Sequence, residues 1–100
     1  MPRAYLIGEI DVQDPETYSK YTSKTPEVIM QHGGRFIVRG GTVDPREGDA
    51  PLGRVVVIEF PSLDAARGFY ESEAYRALIP VRQAASKGRF FLVEGTAEGS

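Results

Sequence analysis

The stretch Arg54-Val55-Val56-Val57-Ile58-Glu59-Phe60, closed by Pro61 and Ser62, is the most strand-like run in this chain of 100 residues. Three consecutive valines and an isoleucine suit a pleated strand, and Pro61 ends it. Its apolar side chains fall on both faces, as in strands that are covered on both sides. After it, Ser62 is placed to cap a helix whose apolar stripe is Leu63, Ala66, Phe69 and Tyr70. Ser72 restarts a helical turn carrying Tyr75, Leu78 and Ile79, which Pro80 interrupts. Arg89-Phe90-Phe91-Leu92-Val93-Glu94 reads as a last strand, again apolar on both faces.

Upstream, Gly40-Gly41 and Asp44-Pro45-Arg46-Glu47-Gly48-Asp49 form a polar loop rich in turn residues. Before it, Arg35 to Arg39 reads as a strand, with Phe36 and Val38 on one face and Arg35, Ile37 and Arg39 on the other. The preceding helix starts at Asp14-Pro15-Glu16, where a capping carboxylate, a proline at the first position and an acid near the positive end of the dipole coincide. Tyr18, Tyr21, Thr25, Val28 and His32 follow at helical spacing. At Pro26 either the helix kinks or Thr25 caps a second short helix, and Gly33-Gly34 closes it. Arg3 to Ile10 is the first strand. The order is thus βαββαβ, an α+β layer of helices on one side of a sheet. Two helices cover one face only, so the second apolar face predicts a partner, most simply a second copy of the chain.

Composition sets the outer limits. The chain carries 41% hydrophobic residues and a formal charge of −2, an ordinary globular mixture without the basic footprint of a nucleic-acid binder. It has no cysteine and a single histidine, which excludes disulfides, thiolate sites and multi-imidazole metal centres. No metal, haem or other cofactor is expected. No apolar run approaches a membrane span, and Met1 to Glu9 lacks a signal-peptide core, so a cytoplasmic location is expected. Residues 1–95 read as one domain and residues 96–100 as a flexible tail.

Four segments, Asp14-Pro15-Glu16-Thr17-Tyr18, Gly33 to Gly41, Val57-Ile58-Glu59-Phe60-Pro61-Ser62 and Tyr70-Glu71-Ser72-Glu73-Ala74-Tyr75, together resemble the domain of unknown function 1330 family. The resemblance runs from about Tyr5 to Gly95. It implies a ferredoxin-like monomer with a four-stranded antiparallel sheet in the order 4-1-3-2, paired as a dimeric α/β barrel. It implies no reaction. Relatives by fold include cofactor-free monooxygenases, muconolactone isomerases and haem-binding peroxidases, and their activities do not transfer by fold alone.

With that strand order, Glu9 shares one end of the sheet with Arg39, Arg54 and Arg89, and Glu59 and Glu94 share the other with Arg3 and Arg35. Cross-strand ion pairs account for most of these charges. His32 precedes the closing glycines as a C-terminal cap, and neither glycine pair has the strand-to-helix order of a phosphate loop. The candidate ligand-binding residues are Arg39, Tyr18, Tyr70 and Arg82, lining an apolar cleft between helices and sheet with Arg39 holding an anion. No nucleophile–base pair singles out a catalytic residue. Two functions are consistent with this pattern: a homodimer that binds a small organic molecule, in the manner of a cofactor-independent enzyme, and a non-catalytic dimeric interaction module. An open cleft favours the first; a cleft filled by Tyr18, Tyr70 and Tyr75 favours the second.

Overall fold

A computed structural model describes residues 2–97. Four strands form one antiparallel sheet: β1 (Ala4–Val12), β2 (Arg35–Arg39), β3 (Arg54–Phe60) and β4 (Ser86–Glu94), in the order β2-β3-β1-β4. The helices are α1 (Pro15–Thr22), α2 (Thr25–Gln31), α3 (Leu63–Glu71), α4 (Glu73–Arg76) and α5 (Ile79–Ala85). The α+β arrangement and the antiparallel sheet agree with the sequence. Of the expected tail, residues 98–100 lie outside the described residues, and the Gly95 N–H donates to the Arg3 carbonyl at 2.7 Å.

Local chemistry sets the helix boundaries. Asp14 accepts from the Thr17 N–H at 3.2 Å and from the Thr17 hydroxyl at 2.7 Å. Ser62 accepts from the Ala65 N–H at 3.0 Å, and Ser72 from the Tyr75 N–H at 3.2 Å. Both interior prolines open helices: Pro26 stands in the first turn of α2 and Pro80 in that of α5, where a missing N–H costs nothing. Thr25 is the first residue of α2 and not its cap; its hydroxyl donates to the Tyr21 carbonyl, which also accepts from the Lys24 N–H at 3.2 Å. Gly33, at φ +76°, closes α2 with the Gly34 N–H donating to Ile29 and the Gly33 N–H to Met30. This double closure needs the left-handed residue that glycine provides.

The hydrogen bonds to Asp14 also predict an acid sensitivity. The Thr17 hydroxyl and N–H favour its carboxylate and lower its pKa from the ordinary 3.8. A depressed pKa in the folded state gives stability that is present above pH 3.8 and lost as pH falls through the folded value,. Asp14→Ala should therefore melt below wild type at pH 7, and the two melting temperatures should converge as the pH drops below 3.8. A gap that is the same at pH 7 and pH 2.5 would show that the cap does not depend on charge.

Register settles which side chain faces which layer. The rows Leu6–Ile58 and Leu6–Leu92 point to the helices, with Ala4, Ile10, Val56 and Phe60 beside them. Phe60, Phe69, Tyr75 and Ile29 are the largest fully buried side chains and knit α2, α3 and α4 to the sheet. The other face carries Val38, Val57, Ile7 and Phe91 as one row across all four strands. Glu59, bonded to Arg35 and Arg3 at 3.0 and 3.4 Å, and Glu9, bonded to Arg89 at 3.1 Å, stand on either side of this row.

Two readings are corrected by the pairing. β4 begins at Ser86 and not Arg89, because Ser86, Lys87 and Gly88 pair with Val12, Asp11 and Ile10. In β2 the alternation breaks: Phe36 pairs with Ile58 and Val38 with Val57, so a bulge at Ile37 absorbs one residue. Arg39 then pairs with Val56 on the helix face, together with Phe36 and not opposite it as strict alternation requires. A bulge redirects a side chain in this way.

Candidate functional site

The spacing of Tyr18, Tyr21, Thr22 and Thr25 keeps all four on one side of α1 and the start of α2. That side faces the sheet across a cleft. The floor is Leu6, Gly8 and Ile10 of β1 with Val56 and Ile58 of β3, and Phe36, Phe90, Arg39 and Arg54 complete the walls. Gly8 is required here, since a Cβ would stand 2.7 Å from Phe90 Cε1. Counted out to its open mouth the cleft spans about 450 Å³, but its interior has room for only about two waters, so the body of any larger ligand lies in the mouth,. It is a narrow slot that the tyrosines leave open without widening into a chamber.

Its electrostatics are one-sided. Among the described residues, no carboxylate lines it. Glu9, at the same end of the sheet as Arg39, Arg54 and Arg89, accepts from Arg89 Nη2 and from the Leu52 N–H, each at 3.1 Å. Arg39 lies over the Phe36 ring, 4.2 Å from its centroid. Burial, reinforced by Tyr21, raises the Tyr18 pKa against the opposing pull of Arg54, Arg82 and Arg39. Tyr18 is therefore a protonated phenol at neutral pH, a hydrogen-bond donor and not a base.

Of the four predicted ligand residues, Arg39 and Tyr18 meet in this cleft, while Tyr70 and Arg82 do not line it. Arg82 is buried under α4, where its Nη1 donates to the Tyr75 hydroxyl at 2.8 Å and its guanidinium covers Phe90 at 4.0 Å. Tyr75 in turn shares a 2.7 Å hydrogen bond with Tyr21. Burial opposes the Arg82 charge, but the oxygens of Tyr75, Tyr70 and Tyr21 outweigh it and raise its pKa. Tyr70 is half-buried, its ring 5.2 Å from that of Tyr75. Phe90 is the partition between the two groups, reaching the cleft and covered by Arg82.

The residue that sequence reasoning missed is Arg54. A signal existed: Arg54 alternates with Val56 and Ile58, which puts a charge on the core face of the strongest strand. His32 plays the expected capping part, its Nδ1–H donating to the Val28 carbonyl at 2.9 Å with its ring edge on Phe69. No group of three or more metal-ligating side chains occurs among the described residues, and none of their helices is long and apolar enough to cross a membrane.

Residues 3–96 match the family described as domain of unknown function (DUF1330). Among solved structures, the chain is similar to a protein of unknown function from Rhodopseudomonas palustris, RPA0582, with 19% identity, a TM-score of 0.73, and coverage of 95% of this chain and 83% of that one. It is also similar to SnoaB, a cofactor-independent oxygenase from Streptomyces nogalater, with 16% identity, a TM-score of 0.65, and coverage of 100% and 97%. No curated protein matches. At these identities the likeness establishes the ferredoxin-like fold alone.

Proposed function

This chain belongs to the DUF1330 family, and from that premise we propose that it is a homodimer binding a small organic anion in the cleft between α1 and the sheet. The observation that carries the reading is an apolar cleft edged by Arg39 and Arg54 with no carboxylate in its lining. Neither arginine has an ion-pair partner among the described residues. A guanidinium beside apolar walls without a counter-charge is poised for an anion brought by a ligand. Tyr18, held protonated, supplies a hydrogen bond to an oxygen of that ligand. A reaction there would be of the cofactor-independent kind named for the Streptomyces oxygenase, with Tyr18 stabilising charge that develops on the bound oxygen. The homodimer reading rests on the outer apolar row, Val38, Val57, Ile7 and Phe91, which a second copy would cover,.

Amide NMR titrations with benzoate, benzenesulfonate and phenyl phosphate test the site. These anions should shift the amides of Gly8, Thr25 and Arg39, and neutral benzyl alcohol at the same concentration should not. Arg39→Met should weaken the shifts while moving the melting temperature by only a few degrees, as for a residue without a structural ion pair. Unchanged shifts in the variant, or a steep fall in melting temperature with binding intact, would return Arg39 to a structural part.

A further inference from the structure

The Arg54 Nε is a buried side-chain nitrogen without a hydrogen-bond partner among the described residues. Buried donors are almost always satisfied, and a charged one is the costliest to leave bare. Arg54 pairs with Ile10 on the inner face of the sheet, so a second copy lying on the outer face would not reach it. Gly40, at φ +73°, packs on the guanidinium: a Cβ there would stand 3.0 Å from Nη2, 3.2 Å from Cζ and 3.3 Å from Nε. A side chain at this position would crowd the group, and glycine leaves it room beside the backbone. The Gly40 N–H is held by the Val55 carbonyl at 2.9 Å, which fixes this backing. With the Gly40 backbone beside it and the cleft in front, the guanidinium meets an acceptor for its bare Nε through the cleft.

We propose that Arg54 grips a planar carboxylate of the ligand side-on through Nε and one Nη, which makes the natural ligand a carboxylic acid with a small apolar body. This rests on the reading of the cleft as an anion site and narrows it. A carboxylate's two oxygens match the two parallel donors of the fork. A sulfonate or phosphate carries a third oxygen out of the plane of the fork, and the Thr22 and Thr25 hydroxyls are not free for it, since they donate to the carbonyls of Ser19 and Tyr21. Much of the remaining wall is aliphatic and aromatic. Arg39, its Cζ 4.2 Å over the Phe36 ring, adds a second positive charge at the cleft.

Wild-type affinities for benzoate, its neutral isostere benzamide, and benzenesulfonate decide the ligand class. Benzoate should bind at least about tenfold more tightly than either of the others. Arg54→Lys keeps the charge but not the planar fork, so it should lose about tenfold or more for benzoate while benzenesulfonate changes less than about threefold. Benzenesulfonate or benzamide binding as tightly as benzoate would overturn the proposal. So would benzoate binding to a folded Arg54→Lys at wild-type strength. Binding of both anions without preference leaves the anion site standing and removes only the carboxylate grip, whereas no response to any anion removes both. The wild-type series separates these outcomes even if the variant does not fold.

Discussion

Val57→Asp is expected to turn a dimer into a folded monomer. In light scattering after gel filtration at micromolar concentration, the wild-type protein should show about twice the chain mass of 11.0 kDa and the variant the single mass. Val57 occupies the centre of the outer apolar row, paired with Ile7 on one side and Val38 on the other. Phe91 in that row is 48% exposed and Val38 38%, so a carboxylate at Val57 is hydrated in the isolated chain and is buried only when a second sheet covers it. Burying an unpaired carboxylate costs several kcal/mol, enough to dissociate an ordinary interface. Val56→Asp is the contrast. Val56 is 9% exposed and faces the helices, so the same charge would enter the core and consume much of the roughly 5–15 kcal/mol that holds a small domain folded. That variant should lose its circular dichroism signal, while Val57→Asp should keep it. A wild-type protein running at 11.0 kDa, or a Val57→Asp protein that remains dimeric, would rule out the outer face as the interface.

The contrast between neighbouring valines shows what was legible in the sequence. Strand β3 could be read with both of its faces, because β-branched residues fill it and Pro61 stops it. The helix starts at Asp14, Ser62 and Ser72 could be read too, since a cap is a local hydrogen bond made by the residue itself. What escaped was decided by pairing. Gly88 and Ser86 have no strand signature of their own and join β4 because Ile10 and Val12 of β1 offer them a ladder. Pro80 resembles an interruption until the chain turns there and makes it a first-turn residue, as the second of the two readings at Pro26 already had it for that proline.

The candidate site was half legible for the same reason. Tyr18 and Arg39 could be nominated by residue type, yet strict alternation set Arg39 opposite Phe36, and only the bulge against Val57 brings both to the cleft. Tyr70 and Arg82 could be nominated on the same grounds, but Phe90 stands between Arg82 and the slot. Arg54 looked like one more strand-end charge near Glu9. Its isolation from any carboxylate depends on Glu9 being taken by Arg89 and Leu52, which are distant in sequence.

Tyr75→Phe is expected to be the most damaging single-atom deletion in the protein. The ring would keep its packing, 4.4 Å from Phe69 and 5.2 Å from Tyr70. What disappears is the oxygen that accepts from Arg82 Nη1 at 2.8 Å and shares a proton with Tyr21 at 2.7 Å. Arginine has only donors, so the Tyr75 oxygen must accept from it, and in the Tyr21–Tyr75 pair either hydroxyl can be the donor,. Removing that oxygen takes the acceptor of Nη1 from an arginine that is only 6% exposed and leaves it the Tyr70 and Tyr21 oxygens alone. Orphaning a buried partner costs about 1–3 kcal/mol, and more when the partner is charged. At roughly 4–8 °C per kcal/mol for a domain of this size, the melting temperature should fall by about 10 °C or more. Tyr21→Phe should cost less, about 0.5–1.5 kcal/mol, because Arg82 keeps its acceptor. Adding Arg82→Met to Tyr75→Phe should recover part of the loss, since a buried charge without a partner is worse than an apolar side chain of similar volume. If Tyr75→Phe melts within a few degrees of wild type, or the double variant is worse than the single by the full cost of Arg82→Met alone, then the hydroxyl is not what keeps Arg82 in the core.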